Sequence, residues 1–157
     1  MKLARFSSLL FAALALGPAM AHLLELPNKI GLARDAYLTV QHIYNGWAFL
    51  GFVVYGAIFS TLALAVLSRR EPKRFTYALI ACLCIVGTQV VFWTFTFPAN
   101  KETLYWTVLP EHWRALRAQW EYSHAASAAL NLIAFVAVSL SVLAGGTDRP
   151  RRESIRS

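Results

Sequence analysis

Apolar positions fall in four long blocks, not in short alternating stretches. Uncharged sequence extends from Phe6 to Leu24, Leu38 to Ser68, Phe75 to Asn100 and Tyr122 to Thr147. Each block approaches or exceeds the ~20 residues a helix needs to cross hydrocarbon. Inside lipid the backbone must satisfy its own polar groups, so runs of this length are helices unless many strands close a barrel, and no period-two alternation is visible. The predicted class is all-α, a polytopic membrane protein with a four-transmembrane-helix bundle. One domain covers residues 1–147, with helices at about 3–25, 43–68, 75–97 and 111–144, and a basic tail follows at 148–157. Small residues recur on every helix (Ala12 and Ala15; Gly51, Gly56 and Ser60; Ala78 and Ala81; Ala125, Ser127 and Ala129), and helices in lipid need them for close approach. Pro18, after Gly17, is expected to bend the first helix, and Pro98 to stop the third. Pro110 and Glu111 read as the opening turn of the last helix, with Trp113, Leu116 and Trp120 on one face.

Composition agrees: 57% of the 157 residues are hydrophobic and 15% charged, against roughly 25% charged in soluble domains. The net charge of +7 is unevenly placed. Ten Lys and Arg (Lys2, Arg5, Arg69, Arg70, Lys73, Arg74, Arg149, Arg151, Arg152 and Arg156) fall on one side of the predicted spans, and five (Lys29, Arg34, Lys101, Arg114 and Arg117) on the other. By the positive-inside rule both termini are cytoplasmic, as in the inner membrane of a bacterium. The charge therefore expresses topology; nucleic-acid binding is not implied, and no Gly-rich phosphate loop exists. Cys82 and Cys84, two apart on one helix, point in different directions and read as packing or lipid positions.

Aligning the spans by length brings His22, Glu25, Gln41, His42, Asn45, Asn100, Glu121 and His124 within about two turns of one plane at the outer end. His22 and Glu25 are three apart, as are Glu121 and His124, so each pair shares a helix face. A Glu-x-x-His motif on two helices belongs to di-iron bundles, but the other helices supply no inward carboxylate. A mononuclear site from His22, Glu25, His42 and His124, holding iron or copper, fits the counts better, and O2 used directly without a metal is the alternative. Interfacial residues wetted by headgroups are the plainer reading of the same cluster. Arg117, Glu121, His124, Ser127 and Asn131 form a stripe running inward, and Thr88, Gln89 and Thr96 are similarly placed on the third helix. Arg117 and Glu121 are spaced as an i,i+4 ion pair, and Asn131 as a hydrogen-bonding partner for a neighbouring helix.

The N-terminus has a second reading. Lys2 and Arg5, an apolar stretch and Ala19-Met20-Ala21 match a secretory signal, whose removal would make His22 the first residue.

The stretch Phe95-Thr96-Phe97-Pro98-Ala99-Asn100, then Trp106, then Trp113, Arg117, Trp120 and His124 resembles the anthrone oxygenase-like family of small four-helix membrane proteins. Much of that family has no assigned function. Its characterised members oxygenate polycyclic anthrones to quinones, which implies an apolar aromatic substrate drawn from the membrane. The resemblance points to Asn100, Arg117, Trp120 and His124 as site positions. Many members carry an Arg three residues after the His, where this chain has Ser127.

Two classes of function follow. In the first, the protein is an oxidoreductase or oxygenase acting on a lipophilic phenolic or quinoid molecule. His124 is base or ligand with Glu121 beside it, Trp120 and Trp106 stack on the ring, Gln89 and Asn131 line the cavity, and Arg117 stabilises a phenolate. In the second it is a non-enzymatic accessory, scaffold or metal-handling subunit, whose outer residues meet a membrane partner or a second copy of the chain.

Overall fold

The computed structural model describes residues 1–144; the predicted basic tail, with Arg149, Arg151, Arg152 and Arg156, lies outside them. Helix α1 covers Lys2–Lys29, α2 Arg34–Gln41, α3 Leu50–Leu67, α4 Pro72–Val91, α5 Phe97–Glu102 and α6 Trp113–Leu143. No strand occurs among the described residues. Four spans, Lys2–Lys29, Trp47–Leu67, Pro72–Glu102 and Trp113–Leu143, are long and apolar enough to cross a membrane. The chain is an all-α integral membrane protein.

The spans form a ring: α1 packs on α3 and α6, and α4 packs on α3 and α6. Its centre is built from small side chains, with Ala12, Ala57, Ala81, Ala134 and Ala137 around Ile85 and Val138. The apolar bulk of Phe52, Phe59, Leu83 and Ile133 faces outward, as expected where the solvent is lipid. A Cβ on Gly56 would come within 2.7 Å of the Phe11 ring. Gly56→Val is therefore expected to destabilise the α1–α3 contact by about 1–3 kcal/mol. Detergent melts should show the loss, and a Phe11→Ala background should relieve it.

Four boundaries differ from the sequence expectation. Helix α1 runs unbroken through Pro18 and Pro27 to Lys29, beyond the predicted end near residue 25. The second span is α-helical only from Leu50, because Gly46 adopts φ +86° between short 3-10 turns at His42–Tyr44 and Trp47–Phe49. Such a conformation favours glycine and interrupts a helix.

Pro98 also does not stop its helix. It lies in the first turn of α5, reached through a π-helical segment, Phe92–Thr96. Eight residues of regular α-helix would carry Thr96 about 80° away from Thr88. The wider π turn removes that offset, so Thr96, Ala99 and Thr103 continue the buried face of Ile85 and Thr88. Gln119 Nε2 donates to the Phe95 carbonyl at 2.8 Å, and the Thr96 and Ser123 hydroxyls lie 2.7 Å apart. Helix α6 starts at Trp113, two residues after the predicted opening, and its 31 residues span about 46 Å.

At the opposite end, Arg74 is buried and paired with Glu71, and its backbone carbonyl accepts from the Ser141 hydroxyl at 2.9 Å. Cys82 is buried, Cys84 half-buried, and both are free.

Candidate functional site

The last turns of α1 carry His22, Glu25 and Lys29, spaced three and four apart. Seven residues return nearly to the same azimuth, so His22 and Lys29 share the face that meets α6. There the His22 ring stacks on His124, centroids 4.0 Å apart and planes 26° apart. Trp120 lies 4.2 Å from His124 and 5.1 Å edge-on to His22. Tyr44 at 4.6 Å and Trp47 at 5.3 Å from His22 close the side toward α3. His22 is buried, whereas His124, Tyr44 and Trp47 are partly exposed; access to the pair is along that edge.

One step outward lies an ion pair with almost no solvent contact. Lys29 is 4% exposed and Glu121 0%, with Nζ 3.1 Å from Oε1. Lys29 also donates to the Tyr44 hydroxyl at 2.6 Å, and Tyr44 donates to Glu25. Gln41 Nε2 donates to the Tyr37 hydroxyl at 2.6 Å, and Tyr37 donates to Glu121 Oε1 at 3.0 Å. The ammonium lies over the rings of Tyr44 and Trp120, 4.4 and 4.7 Å from their centroids. Burial first, and the Glu121 carboxylate second, push the Tyr37 phenol well above its ordinary pKa. Burial and the hydrogen bond to Glu25 do the same to Tyr44. Both phenols thus stay protonated and act as donors.

The roof is indole. Trp106 and Trp120 both donate through Nε1 to Asn100 Oδ1, at 2.9 and 2.8 Å. Trp106 sits edge-on to Tyr37 and Trp120. It is carried by a loop in which Leu104, Tyr105 and Trp106 have φ of 48°, 56° and 62°, a left-handed turn that ordinary residues resist. The turn is held by the Tyr105 amide on the Asn100 carbonyl at 2.6 Å and by the Thr107 and Val108 amides on the Thr103 carbonyl, both at 3.1 Å. The loops are also clasped together: Arg117 Nη1 donates to the Leu32 carbonyl at 2.8 Å, and Arg34 to that of Leu109. Asn100→Leu would leave two indole N–H groups without an acceptor. We expect a loss of about 2–4 kcal/mol and red-shifted tryptophan emission, with Asn100→Asp, which keeps the oxygen, close to wild type.

The sequence-predicted residues are thus sorted. His22, His124, Glu121, Trp120, Trp106 and Asn100 come together. His42 does not; it is exposed on the 3-10 turn. Stacked imidazoles direct their nitrogens in near-parallel planes and not at one point, Glu25 is engaged by Tyr44 and Lys29, and no group of three His, Cys, Asp or Glu among the described residues could hold a metal ion. The four-residue metal set is not assembled. The ion partner of Glu121 is Lys29, not Arg117, whose guanidinium lies over the rings of Tyr37 and Trp113 at 5.4 and 4.7 Å. Asn131, seven residues or about 10 Å deeper than His124, donates to the Ser127 carbonyl of its own helix at 2.9 Å. Gln89 lies a full turn below the π segment and is half-buried. His112 Nε2 is 2.6 Å from Glu102 Oε1 on the surface. Lys29, Tyr37, Tyr44 and Trp47 are the site residues that sequence reasoning passed over. The signal for Lys29 was its seven-residue spacing from His22, and for Tyr37 the four-residue spacing to Gln41.

Compared with known proteins, the chain matches no family model, no curated protein and no solved structure.

Proposed function

We propose that this protein is a membrane oxidoreductase of the anthrone oxygenase-like kind, acting on a lipophilic phenolic or quinoid molecule at the aromatic end of its bundle. The observation that carries the reading is the His22–His124 stack, walled by Trp120, Tyr44 and Trp47 and set beside the buried Lys29–Glu121 pair. A ring entering along the partly exposed edge meets aromatic faces that stack with it and an imidazole that takes its phenolic proton. The phenolate that forms lies near the Lys29 ammonium, which takes the stabilising role first given to Arg117. The resulting electron-rich anion is the species O2 oxidises: a quinol gives up two electrons and two protons and leaves as the quinone, while O2 takes both and leaves as hydrogen peroxide. This chemistry requires no metal ligand set. The excess of Lys and Arg near the other end supports an orientation with the site outside and the termini cytoplasmic.

The test is oxygen uptake by the full chain in nanodiscs with a panel of lipophilic quinols and anthrones, alongside His22→Ala and elemental analysis. Substrate-dependent uptake that His22→Ala removes supports the reading, and no uptake with any of the panel overturns it. The exposed side chains Leu104, Tyr105 and Val108 at the loop tip favour a second reading, an accessory subunit docked to a partner. An obligate complex together with an inert isolated chain would establish that one.

A further inference from the structure

The donor atoms of Lys29, Tyr44, Tyr37, Gln41 and the two indoles around the Lys29–Glu121 pair each have at least one partner. Lys29 is bound to Glu121 and Tyr44, Tyr44 to Glu25, Tyr37 to Glu121, and both indoles to Asn100. The acceptors are not all matched. Glu121 Oε2 and Gln41 Oε1 are buried without a partner, and so is His22 Nδ1, which accepts or donates according to tautomer. Glu121 and Gln41 flank the same Tyr37 hydroxyl, which places their free oxygens in one neighbourhood. The Gln41 amide is fixed in this sense, because Tyr37 gives its single proton to Glu121 and so must receive one from Gln41. Arg117 Nε is also unpaired, but its guanidinium lies over the Tyr37 and Trp113 rings, whose π faces attract it.

We propose that the site selects the reduced, hydroxyl-bearing form of its ligand, a hydroquinone or related polyphenol, over the corresponding quinone. A buried acceptor left without a donor is costly, and a ligand that supplies O–H groups removes that cost. A quinone offers carbonyl oxygens alone and brings no donor to Glu121 Oε2 or Gln41 Oε1. This inference rests on the proposed phenolic chemistry and adds its direction: the substrate is held and the oxidised product released.

The test is equilibrium binding under anaerobic conditions, with the full chain in nanodiscs. The probes are a decyl-substituted benzoquinol, its benzoquinone and its di-O-methyl ether. We expect the quinol to bind at least tenfold more tightly than the quinone, with the methyl ether falling to the quinone's level. Each tenfold preference raises the bound couple's potential by about 30 mV. The comparison is made on the ligand, so it needs no variant that might fail to fold. Equal binding of all three would mean that water satisfies the free oxygens, and would overturn the inference, as would tighter binding of the quinone. Either result with quinol-dependent oxygen uptake intact would leave the proposed function standing. If neither quinol nor quinone binds and no uptake occurs, both fall.

Discussion

Lys29→Met is expected to cost the bundle about 3–5 kcal/mol, because it leaves the Glu121 carboxylate charged and fully buried with no cation beside it. The replacement has similar length and fills the same volume, so the loss is electrostatic and not a cavity effect. Glu121→Gln should cost less, because the Lys29 ammonium keeps the Glu25 carboxylate at 3.8 Å and the rings of Tyr37, Tyr44 and Trp120. The decisive measurement is the double variant. Two charges that offset each other can be removed together far more cheaply than one at a time, so the pair should recover more than half of the summed loss. Unfolding in mixed micelles, followed by circular dichroism, reads all of these. Lys29→Met within about 0.5 kcal/mol of wild type would show that the pair is solvated, contrary to its geometry.

His124→Gln is expected to lower quinol oxidation by about 10²–10⁴-fold, the range associated with loss of a positioned general base. Glutamine keeps a polar planar head of comparable size against Trp120 and His22, so stability should change little and the tryptophan emission should be retained. That pairing of results separates a chemical role from a structural one. If His124→Gln folds and oxidises at the wild-type rate, the base lies elsewhere, and the stacked pair is a packing feature of the helix interface.

The bundle was legible because its strongest signal, the apolar block, needs no tertiary context: lipid imposes helicity on any long uncharged run. Interruptions were harder. Pro98 carries the same local penalty in every helix, and only the π segment ahead of it, joined to α6 through Gln119 and Ser123, explains why the chain continues. Asn45 and Gly46 were a turn signal hidden inside an apolar block, outweighed by its length. At the site, helical spacing paired His22 with Glu25 and Glu121 with His124, and alignment of the spans brought the two histidines to one level. Alignment fixes height, however, and not azimuth. His42 was at the right height on a segment that faces outward, whereas Lys29, counted only as a topological charge, faced the interior. The partner of Glu121 depended on how α1 rotates against α6, and spacing along α6 suggested Arg117 because nothing local opposed it.

The oxygen of Asn100 takes both indole protons of the roof, and the turn carrying one of those indoles winds against the natural hand of the chain. Each of its three residues would relax toward ordinary backbone geometry if released, at a gain of about 1–2 kcal/mol. That conformation therefore has to be held, by the backbone bonds to the Asn100 and Thr103 carbonyls and by the Asn100 side-chain oxygen, which alone of these also ties the turn to α6. Loss of that one side chain would release two indoles at once, the one set on α6 and the one on the left-handed turn.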